Sequence, residues 1–201
     1  MFSKYLWILI LGLLIPRFFA FISSSFRFST TSSSTSSLQV NTDSLQVFLN
    51  ERGFNRFGTL LSRIPLELTD EQKYTIFVPS SQAFAKLEGS INSKLLDPRN
   101  VEVVEKIVAY HFIEGEKLIQ ADIFDAAGLI TKGGDVKILP STSGGFMGLG
   151  AKPDGGITVN GAKIVNTIEL DSNTIIHEID ALMNPYLLYR FLDAVKLPGT
   201  K

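Results

Sequence analysis

Cysteine is absent from all 201 residues, so neither a disulfide nor a thiolate metal site can hold this chain together. Histidine is nearly absent as well, with only His111 and His177. An imidazole base must therefore be one of these two, and any other general base must be a carboxylate. No carboxylate pair for glycoside or metal chemistry stands out in the sequence. G-x-S-x-G, H-E-x-x-H and Walker A motifs are missing, as is a G-x-G-x-x-G between a strand and a helix. These absences point away from an enzyme, and no metal or cofactor is expected. No Asn-x-Ser/Thr sequon occurs, which argues mildly against a heavily glycosylated product.

Charge of either sign is also in short supply. The chain has 19 basic and 20 acidic residues, a net charge of −1. Residues 1–42 hold Lys4, Arg17 and Arg27 and no acid, leaving 16 basic against 20 acidic residues beyond them. No basic stripe is left to follow a phosphate backbone, so nucleic acid is not an expected partner. With 45% hydrophobic residues, the chain can build one domain with a real core and some extra sequence.

The extra sequence begins at the N-terminus. Met1 to Lys4 is a short positive region, and the apolar run Tyr5–Ile15 ends at Pro16. Such a run is too short to cross a bilayer and suits the core of a signal peptide. Cleavage is expected after Ala20, with Ser24 as the competing position. Residues 21–42 are rich in Ser and Thr, carry Arg27 and lack acids, so they cannot fold alone and read as a linker or a processed segment. Two destinations fit. Phe21 at the junction and Arg27 suit a bipartite presequence for a secondary plastid, whereas a Ser/Thr linker suits a secreted protein.

From Ser44 the periodicity turns helical. Leu45, Phe48 and Leu49 share one face, and Phe57, Leu60, Leu61 and Ile64 resume it after Gly53. Tyr74–Val78 reads as a strand stopped by Pro79, with Ser80 and Ser81 capping a helix that contains Phe84. Val101, Val104, Ile107 and Val108 mark a further helix ending at Tyr110-His111. Leu118–Leu129 reads as a loop with one helical turn. Val136–Leu139 is a strand, and 141–156 reads as a long glycine-rich loop whose tip bears Phe146, Met147 and Leu149. Gly145–Gly150 lacks the Lys-Ser/Thr ending and the following helix that a phosphate cradle needs. Ile157–Val165 is a hairpin around Asn160-Gly161, and Thr174–Ile179 follows the Asp171–Asn173 turn.

Two of these stretches, Thr75–Phe84 and Ile157–Val165 running on to His177 and Asp180, occur in this order with Tyr110-His111 between them. The arrangement closely resembles the fasciclin (FAS1) domain family over about residues 43–185. The resemblance implies an α+β fold, an antiparallel β-hairpin core formed as a wedge of two small sheets and packed with short α-helices. It implies that Thr75, Phe77, Pro79, Phe84, Asn160, Gly161, His177 and Asp180 are structural signature residues. The chain departs from the family in carrying Ser80-Ser81 where Thr-Asp is common, and in its long 141–156 segment. In some animal members a Tyr-His pair serves cell-surface binding, which makes Tyr110 and His111 candidate partner contacts. The alternative is a packed tyrosine with its hydroxyl bonded.

Beyond Pro185, Leu187, Leu188, Phe191, Leu192 and Val195 fall at helical spacing. This amphipathic segment, 186–201, is expected either to fold back on its own domain or to anchor to a partner through Leu188 and Phe191. The domain plan is therefore 1–20 signal peptide, 21–42 transit peptide or linker, 43–185 FAS1 domain, and 186–201 helix and tail. The expected function is non-catalytic adhesion or protein–protein binding. The alternative is an accessory structural subunit of a plastid membrane complex. Protein is the expected partner class, within a membrane-associated assembly on the second reading; carbohydrate stays open, and no transmembrane segment is expected after processing.

Overall fold

In a computed structural model the described residues are 42–69, 71–87, 89–144 and 150–183. Two short helices open the domain, α1 (Thr42–Glu51) and α2 (Asn55–Leu61). They join at Gly53, whose φ of +81° places it in the left-handed region that favours glycine. Strand β1 (Tyr74–Pro79) leads to α3 (Ser81–Ala85). Ser80 caps α3 as expected, its Oγ accepting from the Ala83 N–H at 3.2 Å. Helices α4 (Gly89–Leu95) and α5 (Val101–Ala109) follow, then β2 (Phe112–Glu114), α6 (Gln120–Asp125) and β3 (Gly128–Thr131). Four strands complete the chain's described course: β4 (Gly134–Ser143), β5 (Lys152–Val159), β6 (Ala162–Glu169) and β7 (Thr174–Ile179).

The class is α+β. All seven strands join in one order, β2-β1-β7-β6-β5-β4-β3, where the expectation was two small sheets. Its two ends nearly meet, since the Lys132 N–H beyond β3 donates to the Phe112 carbonyl of β2 at 2.8 Å. One inner core explains the curl. Phe77, Ile113, Leu129, Val136, Ile138, Ile157, Val159, Ile164 and Ile179, contributed by every strand, cluster inside it around Ile123 of α6. A second core on the other face packs Tyr74, Ile76, Val78 and Ile176 against α1, α2 and α5 through Leu49, Phe57, Leu60 and Ile107.

The antiparallel expectation needs one correction. β1 and β7 pair in parallel, Phe77 opposite His177, while the remaining pairings are antiparallel. All six residues of β1 are buried, as a central strand covered on both faces requires. The 141–156 segment is also less of a loop than its composition suggests. Pairing of Thr142 with Pro153 and of Ser143 with Lys152 continues the hairpin, across an irregularity next to Pro140. Cross-strand pairing thus overrides the weak intrinsic preference of these residues for strand.

Candidate functional site

His111 follows the last turn of α5, and its ring turns inward. It has no accessible surface. Nδ1 donates to the Ile107 carbonyl at 2.8 Å, and Nε2 accepts the Met183 N–H at 3.1 Å. These partners, a carbonyl on one side and an amide on the other, fix the neutral tautomer. The ring packs 5.3 Å from Phe57. Burial lowers its pKa to about 4, against the opposing pull of the Ile107 carbonyl. A partner cannot touch this side chain in the folded domain, so the expectation of a joint Tyr110-His111 surface is corrected for His111. Tyr110 is half-buried and lies over the β3–β4 turn. A Cβ at Gly133 would sit 2.6 Å from the Tyr110 backbone N and from its Cδ2, which explains why the turn has glycine there.

His177 is the counterpart on the inner face of β7. It is fully buried and stacks on Phe77 at 5.5 Å. Nε2 donates to the Leu118 carbonyl at 2.9 Å, which leaves Nδ1 to accept from the Thr167 hydroxyl at 2.9 Å. Burial lowers this pKa too, with the Leu118 carbonyl pulling the other way. Thr75 completes the same construction: its Oγ1 donates to the Glu116 carbonyl and accepts the Leu118 N–H, both at 2.9 Å. Thr75 and His177, far apart in sequence, thus staple one stretch of backbone, Glu116–Leu118. The stapled groups are main-chain atoms, so no residue type in that stretch announces them.

Asp180 binds β6 to α3. Its Oδ1 accepts the Lys163 N–H at 2.7 Å and its Oδ2 pairs with Lys86 at 3.0 Å. Burial raises its pKa, but the Lys163 and Lys86 bonds outweigh that and the net shift is downward. Asn160 and Gly161, with φ of +50° and +85°, form the β5–β6 turn, as the Asn-Gly signature requires. Phe77, Pro79 and Phe84 are buried. Each of the eight signature residues therefore builds or fastens the domain.

The surface offers two features of another kind. The distal half of the β4–β5 hairpin runs past its neighbours: β3 pairs with β4 only as far as Lys137, and β5 pairs with β6 only at Thr158 and Val159. Lys152–Gly155 of this arm are exposed. Its root is clamped by Asp154, which accepts from Lys163, from the Ser141 hydroxyl and from the Gly156 N–H. The Lys163 bond leads the causes that hold the Asp154 carboxyl at about 2. The tip residues Phe146, Met147 and Leu149 lie outside the described residues, as do Leu188 and Phe191 of the tail. The second feature is an open cleft of about 460 Å³ between the α1–α2 turn, the start of α3 and strands β6 and β7. Among the described residues no three His, Asp or Glu side chains gather as a metal site, and no helix is long and apolar enough to cross a membrane.

Comparison with known proteins settles what this architecture is. The family model for the fasciclin domain matches residues 52–185. The chain belongs to the fasciclin family. A cyanobacterial relative, protein sll1483 of Synechocystis, is 30% identical over 162 residues, 78% of this chain and 83% of the relative. The fasciclin-like arabinogalactan protein CTB11 of Cercospora beticola is 30% identical over 135 residues, which are 66% of this chain but only 32% of that protein. Among solved structures, the FAS1 domain pair of the insect cell adhesion molecule Fasciclin I matches 71% of this chain and 46% of its own, at 21% identity and a TM-score of 0.42. Fasciclin domains are adhesion and protein-binding modules, and this fasciclin domain keeps both of its histidines inside.

Proposed function

We propose that this fasciclin domain is a non-catalytic protein-binding module whose contact is the β4–β5 arm. The observation that carries the reading is the arm itself. It projects beyond β3 and β6, and its sequence ends in three large apolar side chains, Phe146, Met147 and Leu149. Apolar side chains clustered on a projecting hairpin suit the buried centre of a protein interface, with the polar strands as its rim. Both imidazoles, by contrast, are consumed in the core. Deletion of 144–150 is expected to leave the unfolding midpoint nearly unchanged, because Asp154 still clamps the root. The same deletion is expected to shift the protein, expressed in its own cells, from a larger assembly to the monomer position on a native gel. An unchanged assembly would remove the arm from consideration.

A second reading concerns where the module works. The acid-free, Ser/Thr-rich segment with Phe21 and Arg27 supports delivery to a plastid, where the domain would serve as an accessory subunit of a membrane complex. Secretion is the competing route. Residues 1–42 fused to a fluorescent reporter are expected to direct it into the plastid, and reporter in the medium would decide for secretion.

A further inference from the structure

We propose that the occupant of the cleft beside α3 is the chain's own C-terminal segment, 186–201, docked in cis. Its wall carries Val165, which is 60% exposed on β6. Val165 faces outward by strand alternation from the buried Ile164, and the register shift between Ile164 and Asn166 sets Asn166 outward beside it. Ile168 and the edge of the buried Phe54 add to the apolar surface, within a lining that is otherwise polar. Two charges of opposite sign, Arg52 and Glu178, border the cleft. Among the described residues neither has an ion-pair partner.

The tail matches this lining in both respects. Leu187, Leu188, Phe191, Leu192 and Val195 supply an apolar stripe, flanked by Arg190, Asp193 and Lys196. A basic residue suits Glu178 and Asp193 suits Arg52. Position favours the same occupant. Asp180 lines the cleft, and the described chain ends three residues later at Met183, whose N–H is held by His111. Residue 186 thus follows Asp180 of the lining by only six positions in the chain. A segment tethered so closely has an effective concentration on the order of millimolar, so even a weak apolar contact is populated. As a helix, Tyr186–Lys196 would be about 16 Å long. The groove lined by Leu60, Phe84, Leu95 and Leu96 is the competing apolar site, but Arg56 at its rim is already bonded to Asn92. Leu188 and Phe191 then face their own domain instead of a partner.

The absence of cysteine makes the test direct. In the full chain, V165C is combined in turn with L188C, F191C or V195C, and disulfide closure is followed under mild oxidation at low protein concentration. Control chains carry L96C, at the competing groove, or I130C, 78% exposed on β3, with the same tail cysteines. V165C is expected to close within the molecule about tenfold faster than either control with at least one tail position. Equal rates, a preference for L96C, or disulfides formed only between molecules would each overturn the proposal.

Discussion

Phe77→Ala is expected to cost about 3–5 kcal/mol, among the largest single losses available to this domain. Phe77 has no exposed surface, and it sits where the two halves of the fold meet. Its backbone N–H donates to the His111 carbonyl at 2.8 Å, and its strand partner is His177. Its ring packs in the inner core and stacks on the His177 imidazole. Truncation opens a cavity that seven strands cannot close without breaking register, so little relaxation is available. It also strips the apolar cover from a buried imidazole. Against a typical domain stability of about 5–15 kcal/mol, such a loss is a large fraction of the total. The measurement is urea unfolding followed by far-UV circular dichroism, because the sole tryptophan, Trp7, lies far ahead of the domain in sequence. The midpoint should fall with little change in slope. A loss below about 1 kcal/mol would mean that the site is loosely packed or solvated.

Much of this fold is legible in the residues, and the reasons differ from place to place. The Ser80 cap, the Asn160-Gly161 turn and the break at Gly53 are local events, set by neighbouring side chains and backbone angles. The parallel pairing of β1 and β7 is not local. Its only trace is that Tyr74–Val78 is apolar at every position but Thr75 instead of alternating, the mark of a strand covered on both faces. The strand character of 141–143 and 152–156 left no trace in composition, since Ser, Thr, Pro, Asp and Gly adopt it through cross-strand pairing. Val101, expected in the core, is 36% exposed, while Val103 is buried in its stead.

The candidate contacts divide along the same line. His177 was recognisable as a buried histidine because it lies between Ile175 and Ile179 at strand spacing. His111 carried no such pattern, and its two partners, the Ile107 carbonyl and the Met183 N–H, are main-chain atoms. The staple of Glu116–Leu118 by Thr75 and His177 was invisible for the same reason. What the sequence does carry plainly is the apolar tip and the apolar tail, because nothing in the signature accounts for them.

Acid is the second large lever. Each imidazole is neutral when folded, accepting one hydrogen bond that protonation would abolish or force to reverse. An unfolded histidine has a pKa of about 6.5, whereas folded His111 has one of about 4, and that of His177 is lowered as well. As pH falls through this window the unfolded chain takes up protons that the folded chain refuses, so stability decreases. The slope is about 1.4 kcal/mol per pH unit for each ring, and His111 alone contributes up to ~3 kcal/mol by pH 4. Above about pH 8, where the unfolded histidines are also neutral, neither ring adds appreciable pH dependence. The carboxylates act lower. Asp97 and Asp154, held at about 2, with Asp180 also lowered, keep their contribution above about pH 4 and lose it as pH falls toward 2.

The claim that the fasciclin signature forms the core, leaving partner contact to the periphery, rests on these two rings. Their direct measurement is a histidine NMR titration of the full chain from pH 8 downward, with His111→Gln and His177→Gln assigning the only two ring signals. Both rings are expected to hold neutral-form shifts through pH 6, each as a single tautomer, until acid unfolding intervenes. A ring that titrates freely near pH 6.5 with the domain still folded would contradict this, and would place that histidine at an accessible surface.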